Sequence, residues 1–307
     1  MTLLTGFVAQ LLHIALMLAA APTLVGIRRW LEARLAGHSG PSILQHWRDL
    51  LRLLCKESVL AESASSLSAA APLVSAAAIV IAASLVPSFA LGMSFAPFAD
   101  LLVIAGLLAV ARCSLALAGM DAGTAFGGMG ASRTMALASL SEPALLLVVF
   151  VLGLLAGSSN LDLVASMQQE SGTEWRAGVS LALAATLLVA QVECDSGQTR
   201  RTMTLEFSGR DLALIDGAEA LRLLLWLNLI GAMLLPFGMA PAGAAPVAWL
   251  LGLACWVVKT LLFTIALAVL PSVLGRMRMM RASHMLGVAI LLGLLAAVYL
   301  FANMGTA

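Results

Sequence analysis

Long apolar runs are the feature of this 307-residue sequence that most restricts its fold. Residues 144–155, for example, contain no charged or amide side chain. A transmembrane helix needs roughly 20 apolar residues, whereas a transmembrane β-strand alternates in polarity over about ten. Inside a bilayer the backbone must satisfy its own hydrogen bonds, and a helix does this within one segment. The runs therefore predict an all-α, polytopic membrane protein.

Composition supports this prediction and excludes a soluble enzyme. Hydrophobic residues make up 61% of the chain and charged residues 11%, whereas a soluble domain carries about 25% charged residues. The net charge of +1 gives no indication of a nucleic-acid partner. Four cysteines lie far apart, without the paired spacing of a disulfide framework or metal site. We therefore expect no metal on this chain and any redox chemistry in a partner chain.

Eight membrane-spanning helices are predicted, forming a single transmembrane domain over residues 1–307. The first has no basic residue before it and is followed by Arg28 and Arg29, so it is expected to be an uncleaved span and not a signal peptide. The predicted helices cover residues 3–27, 69–89, 97–119, 135–157, 175–192, 212–239, 246–270 and 284–303.

Basic residues are concentrated in the connections after helices one, three, five and seven. Those connections hold thirteen of the seventeen Lys and Arg residues, and Arg176 is the exception at the edge of an even-numbered connection. The protein is expected in the (inner) membrane of a bacterial or archaeal cell. Because cytoplasmic loops carry the excess of Lys and Arg, both termini are expected outside the cytoplasm. The thirteen residues are Arg28, Arg29, Arg34, Arg48, Arg52, Lys56, Arg133, Arg200, Arg201, Arg210, Arg276, Arg278 and Arg281.

The first connection, residues 28–68, is expected to form an amphipathic cytoplasmic loop. Apolar residues recur at helical spacing around Trp30 and again around Trp47, on either side of Gly40 and Pro41. This pattern predicts two interfacial helices. They lie on the lipid surface, or they also seat a partner protein, and the sequence leaves both interpretations open.

Ionisable side chains within the predicted spans are the first candidates for function, since each costs roughly 3 kcal/mol or more to place in a bilayer. Glu142 lies near the start of the fourth helix. Asp216, Glu219 and Arg222 recur every three residues, which places them on one face of the sixth helix. Such residues form a charged path through the bundle, or they are ion pairs that only lock helix packing. Arg112 and Lys259 are the expected counter-ions.

Residues 119–133 are predicted to form a loop bracketed by Asp121 and Arg133, and its five glycines are expected to permit tight turns and close backbone approach. A glycine-rich dinucleotide site must follow a β-strand, and here the preceding element is a membrane helix, so nucleotide binding is excluded. The sequence contains no nucleophile elbow or metalloprotease motif. No catalytic residue is expected on this chain.

Four motifs follow one another along the chain. They are GPSILQ at 40–45 with RDLL at 48–51 and CKE at 55–57, AFGGMGASR at 125–133, SEPA at 141–144, and LEFSGRDLAL at 205–214. Together they resemble the family of complex I subunit 1. That family includes the matching membrane component of formate hydrogenlyase and hydrogenase-4-type complexes, and the wording of the second and fourth motifs is closer to this branch.

The resemblance implies a membrane subunit that anchors a cytoplasmic arm. Nickel–iron and iron–sulfur centres would belong to hydrogenase-like or complex I-like soluble subunits, antiporter-like subunits would be membrane partners, and a quinone is a possible ligand. It further implies that Glu142 and Glu193 belong to a buried chain of carboxylates that carries protons. Residues implied to face the arm or line a quinone-type cavity are Gln45, Arg48, Asp49, Lys56, Glu57, Asp121, Arg133, Glu206, Arg210 and Asp211.

The sequence departs from the family pattern in three places. Thr134 follows GASR where a glutamate is usual, and His38 and Ser39 replace a basic pair. The acidic connection between helices five and six is shortened and contains Arg200 and Arg201. Because a proton path through a low dielectric needs closely spaced titratable groups, we expect anchoring to be retained more fully than quinone binding or proton coupling.

Two alternatives remain open from the sequence. One is a divergent quinone-binding subunit of a respiratory NADH dehydrogenase-like complex. The other, from a different class, is a stand-alone ion transporter, which would account for the buried charges but not for the ordered motifs.

Overall fold

A computed structural model describes residues 2–59, 64–170, 176–195, 202–234, 236–241, 243–244, 246–274 and 279–304. Within these ranges the chain is helical, and its β-type pairing is limited to isolated bridges between Ala90 and Ala240 and between Asp100 and Asn160. The helices are α1 (Thr2–Leu35), α2 (Gln45–Leu54), α3 (Ser66–Leu85), α4 (Leu101–Asp121), α5 (Ala125–Ala156), α6 (Leu161–Glu170), α7 (Arg176–Asp195), α8 (Gly209–Leu234), α9 (Pro246–Leu274) and α10 (Met279–Met304).

The all-α membrane fold predicted from the sequence is confirmed. Each of the eight predicted helices has a counterpart, in α1, α3, α4, α5, α7, α8, α9 and α10. By length and composition, six of them could cross a membrane among the described residues, namely α1, α3, α4, α5, α9 and α10. Helix α7 contains a shorter apolar segment, Ser180–Cys194, and α8 carries several charges. Membrane crossing by α7 and α8 therefore stays a prediction.

Local sequence explains where the helices begin and end. Ser65 accepts a hydrogen bond from the amide of Leu67 at the start of α3, and Asp100 caps α4 in the same way. Thr124 caps α5 by accepting from Gly127. These side chains satisfy amides that have no partner within the helix. At the other end of α5, Gly157 adopts a φ of +65°, a conformation that favours glycine.

Helix α8 lies in the middle of the bundle, in contact with α1, α2, α3, α7 and α9. Its side chains from Ala220 to Met233 are all buried, including Trp226. Asn228 links three helices, because its Oδ1 accepts from Trp256 Nε1 of α9 at 2.8 Å and its amide contacts Met17 of α1. The central position of α8 explains how a helix with several charged residues can lie inside an apolar bundle.

The helix ends gather at two opposite ends of the molecule. At one end, Val59 N donates to Ser208 Oγ at 2.8 Å and Thr124 Oγ1 donates to Glu206 Oε1 at 2.7 Å. We call this end, formed by residues 28–59, 121–124 and 202–211, the basic end. At the other, Leu91 N donates to the carbonyl of Ala240 at 2.9 Å.

The predicted glycine-rich loop is wrong. Helix α4 continues to Asp121 and α5 begins at Ala125, so only residues 122–124 connect them, and Arg133 lies in a helix. A Cβ on Gly127 would overlap the backbone of Gly119, and a Cβ on Gly130 would overlap Thr202. The expected close backbone approach is therefore found at Gly127 and Gly130, and Gly123 adopts a φ of +68° in the turn between the two helices.

Three further differences concern the connections. Residues 30–35 continue α1, so the first connection contains one separate amphipathic helix, α2, and not two. The fourth connection contains an additional helix, α6, which the sequence analysis did not predict. Arg200, Arg201, Arg276 and Arg278 lie outside the described residues.

Candidate functional site

Five charged side chains from four helices meet inside the bundle. We call them the charge cluster: Arg112 of α4, Glu142 of α5, Glu193 of α7, and Glu219 and Arg222 of α8. Four of the five were singled out as candidates from the sequence alone, and Glu193 followed from the family resemblance. The five residues span positions 112 to 222 of the sequence, so the tertiary fold brings them together.

Arg112 is the centre of this cluster. Its Nη1 donates to Glu193 Oε1 at 2.6 Å and to Ser141 Oγ at 3.0 Å, and its Nη2 donates to Glu142 Oε1 at 3.1 Å. Ser141 Oγ lies 3.1 Å from Glu193 Oε1 and donates to it. A guanidinium presents its donors in one rigid plane, so a single arginine can hold two carboxylates in fixed positions.

Arg222 continues the cluster on the other side of Glu193. Its Nη2 donates to Glu219 Oε2 at 2.9 Å, and its Nη1 lies 3.8 Å from Glu193 Oε2. Glu193 is therefore held between two arginines. The five groups form one continuous series in the order Glu142, Arg112, Glu193, Arg222, Glu219.

Exposure increases from the middle of the series toward both ends. The side chain of Glu193 is 7% exposed, whereas that of Glu219 is 29% and that of Glu142 is 40% exposed. The carboxylates at the two ends of the series are therefore more accessible than the one in its middle.

A small cavity of about 10 Å³ borders the cluster between α3, α4, α5 and α8. Arg112, Glu219 and Arg222 line it, together with Thr134, which follows the GASR motif. This volume is close to the lower limit for one water molecule. Sites for organic ligands are roughly 300–1,000 Å³, so this cavity is far smaller than such a site.

Two other sequence-predicted residues have different surroundings. Asp216 lies on α8 three residues before Glu219 and is partly buried. Lys259 of α9 donates to the backbone carbonyl of Phe237, which follows α8 at the end of the molecule opposite to the basic end. Of the two expected counter-ions, Arg112 pairs with carboxylates of the cluster, whereas Lys259 binds a carbonyl remote from it.

Several residues that the resemblance implied to face a soluble arm lie at the basic end. Arg48, Lys56, Glu57 and Arg210 are exposed, and so is Arg133 on the first turns of α5. Others are already held within the molecule: Gln45 donates to Asp49 at 2.9 Å, Glu206 accepts from Thr124 at 2.7 Å, and Asp211 is partly buried.

Asp121 connects two neighbouring helices at the basic end. Its Oδ2 accepts from the amide and hydroxyl of Ser65 at 2.9 and 2.8 Å, and from the hydroxyl of Ser68 at 2.6 Å. These bonds join the last residue of α4 to the start of α3. The geometry gives Asp121 a structural role that the sequence analysis did not predict.

His46 and Ser141 are buried polar residues that the sequence analysis did not single out. His46 is buried where α2 contacts α1 and α8. Burial, together with nearby Arg29, lowers the pKa of His46 to about 4. Ser141 directly precedes Glu142 in the SEPA motif, and this position was the one sequence feature that could have identified it.

Among the described residues, no three His, Cys, Asp or Glu side chains converge to form a metal site.

Comparison with known proteins identifies the family. The profile of the family described as NADH dehydrogenase matches residues 8–302, nearly the whole chain and all helices that contribute to the charge cluster. The chain belongs to the NADH dehydrogenase family of complex I subunit 1. The resemblance inferred from the four motifs is therefore confirmed.

Two curated relatives come from Escherichia coli (strain K12). Hydrogenase-4 component C is 28% identical over 313 residues, which cover 97% of this chain and 98% of the relative. Formate hydrogenlyase subunit 4 is 27% identical over 278 residues, covering 88% of this chain and 90% of the relative. Both names describe components of multisubunit enzymes, so the family member described here is similar over its full length to subunits of such complexes.

A solved structure has the same fold. It is a chain of the membrane-bound sulfane sulfur reductase, an archaeal respiratory membrane complex, with a TM-score of 0.74 and 18% sequence identity. The match covers 95% of this chain and 99% of that chain. The subunit 1 fold is thus shared across the whole length of both chains.

Proposed function

We propose that this protein is the membrane-anchoring subunit of a hydrogenase-4 or formate hydrogenlyase-type complex. Its cytoplasmic face would seat soluble subunits that carry the nickel–iron and iron–sulfur centres, and no such centre would reside on this chain. The observation that carries the proposal is the basic end, which combines exposed cationic side chains with an ordered, hydrogen-bonded surface. The full-length similarity to two subunits of such complexes supports the same function.

The basic end has the properties of a docking surface. Arg210 is exposed there, and Arg133 is exposed on the adjoining part of α5. The segment that carries Arg210 is held by the hydrogen bond between Val59 N and Ser208 Oγ, and Arg133 is held within a helix. Because these segments are already ordered, less conformational entropy is lost when a soluble subunit binds to them. The excess of Lys and Arg at this end supports a cytoplasmic orientation, with both termini on the opposite side.

The exposure of the Glu142 side chain supports a second kind of partner, which lies within the membrane. Its carboxylate is 40% exposed on a helix that is apolar enough to cross the bilayer, at the seventeenth residue after its start at Ala125. A charged group in that position is costly when it faces lipid. We infer that an adjacent membrane subunit, of the antiporter-like kind implied by the resemblance, covers Glu142.

Proton transfer is a secondary function that the charge cluster supports. The partial exposure of Glu219 and the cavity beside it favour proton exchange at that end of the cluster. Against efficient transfer, two arginines hold Glu193 in ion pairs, and Thr134 stands where a titratable group is usual. We therefore infer that anchoring is the main role and that proton coupling through this chain is weak.

Affinity purification tests the anchoring role. The tagged wild-type chain, extracted in mild detergent, is expected to recover soluble iron–sulfur subunits, and the double variant Arg133→Glu/Arg210→Glu is expected to lose them. The matched control Arg133→Lys/Arg210→Lys should retain them. Recovery of a homo-oligomer alone would contradict the proposal and favour a stand-alone transporter.

A further inference from the structure

Helix α2 has three faces, and the docking function uses only part of its surface. His46 and Leu50 are buried against the bundle. Leu44, Leu51 and Leu54 project from a second face and are 55%, 57% and 47% exposed. The third face carries the exposed guanidinium groups of Arg48 and Arg52, one helical turn apart. An exposed apolar face beside a cationic one is typical of helices that lie in a membrane interface.

Contacts with α1 fix the depth of this helix. Trp47 Nε1 donates to Thr23 Oγ1 at 3.1 Å, and the backbone of Ile43 fits against Gly26, where a Cβ would overlap its carbonyl oxygen. Thr23 and Gly26 precede Arg28, the first cation after the apolar part of α1. At 1.5 Å per residue, Thr23 lies roughly 8 Å deeper in the membrane than Arg28. The exposed leucines of α2 are therefore level with the boundary between acyl chains and headgroups.

The local charge favours an anionic ligand. Residues 28–57 contain six cationic and three acidic side chains. Glu32 is paired with Arg28 at 2.7 Å, which leaves five cationic and two acidic side chains, and Asp49 accepts from the neutral amide of Gln45 at 2.9 Å. Guanidinium groups bind phosphate oxygens through strong, charge-assisted hydrogen bonds.

We propose that α2 binds an anionic phospholipid. The acyl chains lie along Leu44, Leu51 and Leu54, and the headgroup phosphate binds between Arg48 and Arg52. A soluble subunit would have to enter the acyl region to cover the same leucines, whereas a lipid occupies that depth already. This assignment makes Arg48 a lipid ligand and leaves Arg133 and Arg210 for docking.

Lipid titration of the purified complex tests the proposal. Native mass spectrometry of the delipidated complex should show retention of added phosphatidylglycerol over phosphatidylcholine. We expect the double variant Arg48→Gln/Arg52→Gln to reduce this preference at least fivefold while the soluble subunits remain bound. Arg281→Gln, which removes an exposed cation from the start of α10, is the matched control and should keep the preference. An unchanged preference in the double variant would overturn the assignment.

Photo-crosslinking distinguishes a lipid from a protein at the same face. Benzoylphenylalanine introduced at Leu51 in the intact, membrane-embedded complex should give adducts with the mass of one phospholipid. The same group at Leu250 of α9, which is exposed within a candidate span, is a positive control for lipid contact. Crosslinks from position 51 to a soluble subunit would contradict the proposal and assign this face to a protein partner.

Discussion

The guanidinium of Arg112 and the carboxylate of Glu193 lie 2.6 Å apart in the interior of the bundle, and both side chains are less than a tenth exposed. The two residues are separated by 81 positions and belong to α4 and α7. A buried ion pair of this kind contributes little net stability compared with apolar residues, but removal of one partner leaves an uncompensated charge. This asymmetry determines how substitutions in the charge cluster should behave.

We expect Arg112→Met to destabilise the protein by about 3–5 kcal/mol, because it leaves Glu193 buried without its closest cation. The double variant Arg112→Met/Glu193→Gln removes both charges and should recover part of the loss. Thermal unfolding in detergent, followed by circular dichroism, measures the difference. If the single and double variants unfold at the same temperature, the buried charge of Glu193 is not the cause of the destabilisation.

Glu142→Gln should have a much smaller effect on stability, about 1 kcal/mol or less. Arg112 still forms its ion pair with Glu193 in this variant, and the side chain of Glu142 is partly exposed. Because we infer weak proton coupling, flux in the reconstituted complex should persist in this variant. Ion flux into proteoliposomes with a pH-sensitive dye is the measurement. Wild-type proton flux that vanishes in Glu142→Gln would contradict the weak-coupling interpretation.

Glycines of α5 offer a matched test of close helix packing. Gly130→Ala should destabilise by about 1–3 kcal/mol, because the new methyl group overlaps Thr202 and approaches Met203. Gly128→Ala meets no atom within 4 Å and should be neutral or stabilising by about 0.5–1 kcal/mol. Unfolding midpoints of the two variants provide the comparison. Equal destabilisation by both would show that backbone conformation, and not packing, requires these glycines.

His46 should make the attachment of α2 sensitive to acid. Its folded-state pKa of about 4 lies below the ordinary value of 6.5, so α2 is bound best above pH 6.5, where His46 is neutral in both states. As the pH falls from 6.5 toward 4, only the detached state takes up the proton, and attachment weakens. Hydrogen–deuterium exchange over residues 45–54 should therefore increase across this range after correction for intrinsic exchange. His46→Gln should remove the effect, and an identical pH dependence in that variant would assign it to another group.

Sequence patterns predicted the helices because each span carries its own apolar signal. They also predicted four members of the charge cluster, since charges inside apolar runs are conspicuous. Which carboxylate pairs with which arginine could not be predicted, because Arg112, Glu142 and Glu193 are joined only by the tertiary fold. The loop at 119–133 was predicted too long for the same reason, because the sequence does not distinguish a glycine that permits a turn from one that permits close packing within a helix. Helix α6 was missed because its ten residues carry only a weak apolar pattern.

The order of the cluster residues along the chain also bears on biosynthesis. Arg112 and Glu142 lie on consecutive helices, so α4 and α5 can enter the bilayer as a hairpin with compensated charge. Arg222 and Glu219 are neighbours on α8 and compensate one another in the same way. Helix α7 brings Glu193, whose partner Arg112 has been synthesised earlier. Formation of this pair should therefore require that the α4–α5 hairpin has stayed next to the translocation channel until α7 emerges.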